Sequence, residues 1–285
     1  MKWLIYGSQG WIGSSVRDYL TKNHPEVELI EPRSRADDID GVKKDLAEFK
    51  PDRVLSFIGR TSGPGCNSID YLEGPGKLVE NVRDNLFSPV VLMALCQQQG
   101  VHFTYLGTGC IFSYEKPDDP AFTVDSRPNF TGSSYSTVKG FTDQLSLLFP
   151  NTLNVRIRMP ISSSDHPRNF ISKIIRYPKI CNALNSMTVL EDAIPVLIGE
   201  VMKGTTGTVN LVNPGPIDHV TILEMYKKYV DPNHSYTLMT EAEQDIILKA
   251  KRSKNVLVPS FNLPSTKESI EQIFKSGSFK KQCFQ

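Results

Sequence analysis

Short apolar runs alternate with amphipathic segments along the first 158 residues of the chain. The apolar runs, which the pattern predicts to be strands, cover residues 3–6, 27–30, 53–58, 101–106 and 153–158. The segments between them carry apolar residues at helical spacing, which predicts helices at residues 14–22, 37–49, 78–99 and 135–148. Strands that alternate with helices favour parallel pairing through right-handed crossovers. The pattern therefore predicts an α/β fold built on a doubly wound parallel sheet.

The pattern becomes irregular after residue 160. Helices are predicted at residues 170–177, 192–203 and 222–230, with a short extended piece at 187–190. A strand predicted at 208–212 is a candidate to return to the sheet. A segment rich in Pro, Asp and Asn, residues 115–132, is predicted to be a surface loop. We therefore divide the chain into a cofactor-binding domain, residues 1–155, and a smaller, partly interleaved substrate-binding lobe, residues 156–285.

Composition excludes several kinds of partner. The 32 basic and 31 acidic residues give a formal net charge of +1, so no basic excess indicates a nucleic acid or an anionic membrane. No apolar run approaches the length of a transmembrane helix, and neither the histidines nor the cysteines have metal-site spacing. The five cysteines are interpreted as reduced thiols, and no role is assigned to Cys66, Cys96, Cys181 and Cys283. We expect a cytoplasmic protein without a metal centre.

A glycine-rich turn joins the first predicted strand to the first predicted helix. Gly7, Gly10 and Gly13 form the pattern G-x-x-G-x-x-G. The first glycine allows the tight turn, the second lets the backbone approach a diphosphate, and the third lets the helix pack on the strand. The helix N-terminus offers free N–H groups and a partial positive charge to the anion. This position predicts a Rossmann-type dinucleotide site that also includes Trp11 and Ile12.

The end of the second predicted strand bears on the choice between NADPH and NADH. Glu31 lies where a carboxylate that accepts from a ribose 2′-hydroxyl would favour NADH. Arg33, Ser34 and Arg35 follow directly, and two guanidiniums with a hydroxyl suit a 2′-phosphate. We therefore predict an NADP(H)-binding domain that uses NADPH, with NADH as the alternative.

Two further segments carry groups suited to proton transfer. Tyr135 and Lys139 are four residues apart at the start of a predicted helix, which places both side chains on one face. A nearby ammonium lowers the pKa of a tyrosine, and the phenol then exchanges a proton with a carbonyl or carbinol oxygen. Thr108 and Cys110 follow the strand at 101–106, and ligands bind at strand ends in open α/β sheets. We predict that Thr108 is the hydroxyl that accompanies Tyr135, with Ser134 as the second candidate.

Several segments, taken with these features, resemble one group of enzymes. They are residues 4–7, 10–13, 108–112, 128–133, 156–162, 167–171, 185–188 and 224–226. The chain is similar, from residue 3 to about residue 255, to the UDP-4-keto-6-deoxy-glucose 3,5-epimerase/4-reductase of UDP-L-rhamnose synthesis. This group belongs to the extended short-chain dehydrogenase/reductase superfamily and occurs in plants and large DNA viruses. The resemblance implies a bifunctional cytoplasmic enzyme for a nucleotide-sugar substrate, a homodimer as a candidate assembly, and a separate 4,6-dehydratase upstream.

The resemblance also implies roles for individual residues. Cys110 and Lys173 match the pair that removes and returns protons at C3 and C5. Tyr135 and Thr108 would hydrogen-bond the C4 oxygen and stabilise the enolate. Tyr135 would then protonate that oxygen during reduction, and Lys139 would hold the cofactor ribose.

Substrate binding is assigned by the same resemblance. Arg252 would bind the UDP diphosphate as a bidentate cation, and Arg168 and Asn169 would line the sugar-nucleotide site. The loop at residues 60–65 is longer and richer in glycine than in the plant enzymes, and the tail after about residue 263 matches poorly. Two alternatives stay open: an epimerase/reductase for a GDP- or dTDP-linked 4-keto-6-deoxy sugar, and a non-catalytic dinucleotide-binding regulatory subunit.

Overall fold

The computed structural model describes residues 1–116 and 118–279, so Cys283 and the end of the predicted lobe lie outside the described residues. The strands in these ranges are β1 (Lys2–Tyr6), β2 (Glu28–Ile30), β3 (Arg53–Ser56), β4 (His102–Thr108), β5 (Thr152–Ile157), β6 (Pro160–Ile161), β7 (Lys179–Cys181), β8 (Leu184–Asn185), β9 (Thr188–Val189), β10 (Gly207–Asn210), β11 (Ile217–Asp218) and β12 (Thr237–Met239). The α-helices are α1 (Trp11–Asn23), α2 (Ile39–Phe49), α3 (Lys77–Val82), α4 (Ser88–Gln98), α5 (Ser134–Ser146), α6 (Phe170–Ile174), α7 (Leu190–Lys203), α8 (His219–Tyr229), α9 (Glu241–Ile247) and α10 (Thr266–Lys275). A 3-10 helix, Ile69–Glu73, precedes α3.

Six parallel strands form the central sheet in the order β2-β1-β3-β4-β5-β10. Leu4 lies opposite Val54, and Val54 lies opposite Phe103. β10 comes from the second half of the chain and pairs with β5 at one edge of the sheet. The predicted α/β fold with a doubly wound parallel sheet is confirmed. Because β2 and β3 flank β1 on opposite sides, the chain leaves β1 and β3 in diverging directions and opens a crevice at their carboxyl ends.

Apolar side chains cover both faces of the sheet. One core lies between the sheet, α1 and α7 and includes Trp3, Leu20 and Ile198. A second core covers the opposite face below α2 and α4. A third core, without strands of the central sheet, gathers α6, α8 and α10 around Tyr226 and Phe274. The second half of the chain therefore has its own core, although β10 and α7 pack with the first half. The boundary at residue 155 stays a prediction.

The helix predicted at residues 78–99 is interrupted by a π-helical turn, Arg83–Phe87. Pro89 has no N–H with which to bond the carbonyl of Asn85. That carbonyl accepts instead from the hydroxyl of Thr142 at 2.6 Å, while Ser88 Oγ donates to the carbonyl of Arg83 at 2.8 Å. The interruption therefore joins α4 to α5, the helix that carries Tyr135.

A buried ion pair fixes the loop that follows β4. Arg156 on β5 is 1% exposed and donates from Nη2 to Asp143 Oδ2 at 2.7 Å. The same guanidinium donates to the carbonyls of Thr123, Val124 and Ser126. The Pro-rich segment predicted as a surface loop is therefore tied to the sheet through Arg156.

Candidate active site

A cavity of about 370 Å³ lies at the carboxyl ends of β1 and β3, where the strand order places the crevice. Gly7, Gly10 and Gly59 supply backbone to its wall, and Arg35 and Arg168 supply cationic side chains. The predicted strand at 53–58 ends early at Ser56, because the following residues leave the sheet to line this cavity. A wall of glycine backbone and guanidiniums suits an anionic dinucleotide.

The glycine turn has the geometry that a dinucleotide diphosphate requires. Gly7 has a φ of +80°, in the left-handed region that favours glycine. A Cβ at Gly13 would lie 2.1 Å from the carbonyl oxygen of Gly7, so only glycine lets α1 start this close to β1. Gly10 is the N-cap of α1, and no side chain of the described residues caps it. The first N–H groups of α1 therefore point to a place where an anion fits.

Trp11 and Ile12 occupy the first turn of α1. Trp11 stacks on His166 with ring centroids 5.1 Å apart and an interplanar angle of 6°. Ile12 packs against the core between the sheet and α1. Arg168 N–H donates to His166 Nδ1 at 3.1 Å, and burial lowers the pKa of that histidine. The loop before α6 is thus held against the glycine turn, which brings Arg168 to the cofactor cavity.

The two arginines after β2 differ in where they point. Arg35 lines the cavity and pairs with Asp37 at 2.9 Å. Arg33 pairs with Glu48 at 2.8 Å and lies over the ring of Phe49, and it does not line the cavity. Arg35 is therefore the better placed of the two for a 2′-phosphate.

Glu31 and Ser34 both have protein partners in this structure. Glu31 accepts from Ser8 Oγ at 3.2 Å and from Gln9 Nε2 at 2.8 Å. Ser34 lines the cavity and donates its hydroxyl to the buried Asp45 at 2.7 Å. Asp45 thereby fixes the turn that presents Arg35.

The Cys110 turn begins where β4 ends at Thr108. The N–H of Cys110 donates to Thr108 Oγ1 at 3.1 Å, so the hydroxyl and the thiol are held beside each other. Arg158, directly after β5, donates from Nη1 to Cys110 Sγ at 2.8 Å. A guanidinium aimed at sulfur stabilises negative charge on that atom.

Arg158 contacts the candidate site, although the sequence assigned it no role. The register pairs Thr108 with Ile157, which brings the residue after β5 to the Cys110 turn. The available signal was a charged residue at the end of a strand that is buried over its whole length. One arginine inside such a strand and another directly after it indicate buried partners rather than a solvated surface.

Tyr135 and Lys139 are both buried on α5, as their spacing implies. Burial lowers the pKa of Lys139 to about 7, and its Nζ donates to the carbonyl of Leu106 at 3.1 Å over the ring of Tyr105. Burial, with the Cys110 sulfur beside it, raises the pKa of Tyr135, whereas its hydrogen bond with Thr108 acts in the opposite direction. The expected lowering by Lys139 is therefore not found. Desolvation dominates, and Lys139 carries only part of a charge at neutral pH.

Lys173 lies near the end of α6 and faces the same site. Burial, followed by the charges of Arg168 and Arg252, lowers its pKa to about 8. Cys110 and Cys66 are also close enough to act on Lys173 electrostatically. The lysine predicted as the partner of Cys110 is thus desolvated rather than a solvated surface charge, and the loop that carries Cys66 reaches the site.

The three predicted substrate residues occupy different places. Arg168 faces the cofactor cavity. Arg252 forms an ion pair with Asp70 and acts on Lys173, so it borders the site. Asn169 is fully buried, caps α6 through the N–H of Ile171, and donates to the carbonyls at residues 162 and 164. Its amide groups are already bonded, which suits support of α6 rather than direct contact with a ligand.

Four titratable groups therefore interact electrostatically, and Arg168, which acts on Lys173, also lines the cofactor cavity. Cys110 acts electrostatically on Tyr135, on Lys139 and on Lys173. A thiol can exchange protons with a carbon acid, and so can the Lys173 amine, whose pKa is about 8. A phenol can protonate an oxygen.

Within residues 1–116 and 118–279, no cluster of three or more His, Cys, Asp or Glu side chains could hold a metal. No helix in these ranges is both long and apolar enough to cross a membrane.

Residues 3–176 match the model of the NAD dependent epimerase/dehydratase family. This chain belongs to that family. The description of the family states dependence on NAD, and the glycine turn and the cavity at β1 and β3 fit such a cofactor.

Two proteins are similar in sequence to this epimerase/dehydratase chain. Protein L780 of Acanthamoeba polyphaga mimivirus is 51% identical over 261 residues, which are 90% of each chain. The crystal structure of L780, described as a UDP-rhamnose synthase, has a TM-score of 0.92 and 47% identity over 96% of this chain and 99% of that one. A bifunctional dTDP-4-dehydrorhamnose 3,5-epimerase/reductase of Arabidopsis thaliana is 35% identical and is covered over 84% of its length.

One further solved structure is similar to this chain in fold alone. A dTDP-4-dehydrorhamnose reductase of Bacillus anthracis, solved in complex with NADP, has a TM-score of 0.78 at 16% identity, over 96% of this chain and 99% of that one. The resemblance to rhamnose epimerase-reductases stated from the sequence is confirmed by the plant and viral relatives.

Proposed function

We propose that this protein epimerises C3 and C5 of UDP-4-keto-6-deoxy-D-glucose and reduces the C4 ketone with NADPH, which forms UDP-L-rhamnose. The observation that carries the proposal is the electrostatic interaction of Cys110 with both Tyr135 and Lys173. Arg168, which also acts on Lys173, lines the dinucleotide cavity. The name of the plant relative gives the same pair of reactions on a dTDP-linked sugar, and the viral relative is described as a UDP-rhamnose synthase.

Epimerisation uses the acidity that a C4 ketone gives to the protons on C3 and C5. The Cys110 thiolate removes such a proton, and the electron pair of the broken C–H bond moves to the C4 oxygen as an enolate. Thr108 and Tyr135 donate hydrogen bonds to that oxygen. The Lys173 ammonium, whose pKa of about 8 makes it a ready acid near neutral pH, returns a proton on the opposite face. Cys110 is then a thiol and Lys173 an amine, and proton exchange with water restores both.

Reduction follows at the same carbonyl. A bound nicotinamide dinucleotide supplies the hydride that adds to C4. Tyr135 gives its phenolic proton to the C4 oxygen, and burial keeps that phenol protonated beforehand. Lys139 uses one N–H on the carbonyl of Leu106, which leaves donors for the hydroxyls of a cofactor ribose. We assign NADPH because Arg35 lines the cavity, where it can bind a 2′-phosphate.

The decisive experiment is analysis of the products by NMR after incubation with UDP-4-keto-6-deoxy-glucose and NADPH in D₂O. We expect UDP-L-rhamnose with deuterium at C3 and C5. Cys110→Ser is expected to abolish deuterium incorporation while NADPH binding persists, and Tyr135→Phe is expected to abolish NADPH oxidation. Cys181→Ser, a buried thiol outside the site, is the matched control and should behave as the unmodified protein. Deuterium incorporation at an unchanged rate in Cys110→Ser would refute the proposed base.

The alternatives separate in the same assay. The plant relative is named for dTDP-linked sugars, so NADPH oxidation is compared with UDP-, dTDP- and GDP-linked 4-keto substrates. A preference for another nucleotide would replace the substrate and leave the chemistry intact. A folded protein that binds NADPH and turns over none of the three would instead be the regulatory subunit.

The chemistry implies a setting for the reaction. A 4-keto-6-deoxy sugar must come from dehydration of a hexose, so a separate 4,6-dehydratase is the expected supplier. Cys110 must stay a free thiol to act as a base, and the four described cysteines are all free. A reducing compartment, such as the cytoplasm, meets that requirement.

A homodimer is the assembly that we infer for the enzyme. Val79 on α3 and Phe141 on α5 are 73% and 57% exposed, and Leu78 and Leu145 on these neighbouring helices are also exposed. Exposed apolar side chains on adjacent helices suit burial against a second copy of the same surface. Val79→Glu combined with Phe141→Glu should shift the mass in analytical ultracentrifugation from dimer to monomer. An unmodified protein that sediments as a monomer would contradict the inference.

A further inference from the structure

We infer that Arg158 is a positioning residue that keeps the Cys110 sulfur charged and aimed for proton abstraction. The inference rests on the proposed function of Cys110 as the base of the epimerisation. It adds a residue on β5's carboxyl side to a site whose sequence-predicted members lie on the Cys110 turn, α5 and α6.

The partners of Arg158 leave its charge without a carboxylate. Arg158 is 1% exposed, and its Nη2 donates to Asn185 Oδ1 at 2.6 Å and to the carbonyl of Ser253 at 2.7 Å. Nη1 donates to Cys110 Sγ at 2.8 Å. Among the described residues no carboxylate pairs with this guanidinium, whereas Arg156, two residues earlier, is paired with Asp143. A buried cation needs a counter-charge, and the sulfur is the one hydrogen-bonded partner that can become an anion.

The Cys110 turn is shaped to admit this guanidinium. A Cβ at Gly109 would lie 3.3 Å from Arg158 Cδ and 2.7 Å from Leu257 Cδ1, so glycine makes room for both neighbours. Asn255 Nδ2 donates to the carbonyls of Gly109 at 2.9 Å and Phe112 at 2.7 Å. The turn is therefore clamped by the 252–257 segment on one side while Arg158 reaches the sulfur from β5.

Other titratable groups also face Cys110, but their protonation depends on pH. Tyr135 and Lys139 approach from α5, and Lys173 approaches from α6. The pKa of Lys139 is lowered to about 7 and that of Lys173 to about 8 by burial, so both lose charge as the pH rises above neutrality. A guanidinium stays protonated throughout. Arg158 is thus the cation that remains beside the sulfur when the base must act.

The charge balance of the step is consistent with this role. When the Cys110 thiolate takes a proton from carbon, its negative charge passes to the C4 oxygen and the sulfur becomes a neutral thiol. Arg158 neither gains nor loses a proton, and its hydrogen bonds to Asn185 and Ser253 hold it in place for the next cycle. A fixed donor of this kind lowers the reorganisation that proton transfer requires.

The test is the pH profile of Cys110 alkylation by iodoacetamide in the full-length protein without substrate, read by mass spectrometry of the Cys110 peptide. We expect Arg158→Met to reduce the rate of alkylation at pH 7 about tenfold, which corresponds to a profile moved by one pH unit, and Arg158→Lys to restore part of it. Asn185→Asp is the companion variant with almost unchanged shape. It gives Arg158 a carboxylate partner at the position of the 2.6 Å contact, so its profile should move in the same direction.

The outcomes separate this inference from the proposed function. Unmoved profiles in Arg158→Met and Asn185→Asp, with both proteins folded by circular dichroism, would overturn the role of Arg158. A moved profile together with slower deuterium incorporation at C3 and C5 supports it. If the unmodified protein exchanges no deuterium, the proposed function fails, although the moved alkylation profile would still establish that Arg158 charges the sulfur.

Discussion

Replacement of Lys139 by Met should stabilise the protein near neutral pH while it abolishes reduction. Lys139 is 4% exposed, and burial lowers its pKa from the ordinary value of 10.5 to about 7. The unfolded chain therefore binds a proton at this residue more tightly than the folded chain does. The resulting penalty on folding is absent above pH 10.5, grows as the pH falls towards 7, and is constant below that value.

The size of the effect follows from the two pKa values. Each tenfold change in proton affinity is worth about 1.4 kcal/mol, so the penalty near pH 7 is on the order of 4 kcal/mol. Met removes that penalty, but it also removes the hydrogen bond to the carbonyl of Leu106 and the contact with the ring of Tyr105, together worth about 1–2 kcal/mol. We expect a net gain of about 2 kcal/mol at pH 7. At pH 10 about 0.8 kcal/mol of the penalty remains, so we expect a net loss of about 0.5 kcal/mol there, which approaches about 1–2 kcal/mol above pH 10.5.

The measurement is urea unfolding followed by circular dichroism at pH 6, 7, 8.5 and 10, for the unmodified protein, Lys139→Met and Lys22→Met. Lys22 is an exposed lysine near the end of α1, so its replacement should give a difference that does not vary with pH. The other shifted groups, including Lys173 and Tyr135, are present in every protein and cancel from the comparison. A difference between Lys139→Met and the unmodified protein that stays constant from pH 6 to 10 would refute the desolvation argument.

Three further predictions concern cofactor binding and stability. Gly13→Ala places a methyl group 2.1 Å from the carbonyl oxygen of Gly7, so NADPH binding measured by fluorescence should weaken at least about tenfold. The control is Gly199→Ala, which has open space around the added methyl group and should bind NADPH normally. Arg35→Ala should raise the Kd for NADPH about tenfold and leave that for NADH unchanged; equal losses for both cofactors would move the 2′-phosphate site elsewhere. Arg156→Met leaves Asp143 buried without its charged partner, so the free energy of unfolding in urea should fall by about 3–5 kcal/mol. A loss below about 1 kcal/mol would show that the ion pair is not needed for stability.

The secondary structure was predictable where local pattern and tertiary packing agree. The strands of the first 158 residues and the glycine turn follow from apolar runs, helical spacing and turn chemistry. The helix at 78–99 was not predictable as two helices joined by a π-helical turn. Its interruption depends on a hydrogen bond from the hydroxyl of Thr142 on α5 to the carbonyl of Asn85. These two residues are 57 positions apart, so the local sequence pattern does not indicate the contact.

The candidate site divides in the same way. Tyr135 and Lys139 share a face because of helical periodicity, and Gly7, Gly10 and Gly13 are placed by strand-turn-helix chemistry. Asp45 and Glu48 hold the turn after β2 and thereby decide which arginine faces the cavity. The sequence alone could not show this choice. The expected lowering of the Tyr135 pKa fails for a similar reason, because burial is a property of the whole fold.

The sequence by itself therefore determined the kind of fold, the dinucleotide turn and the chemical groups available for proton transfer. These depend on residue type and spacing within one or two elements. Only the tertiary structure decided how those groups act on one another. The pairing of β4 with β5 brings Arg158 to Cys110, and the packing of the second half of the chain desolvates Lys173. Charge and burial of this kind arise from residues far apart in sequence, because proximity across a parallel sheet is set by register and not by local spacing.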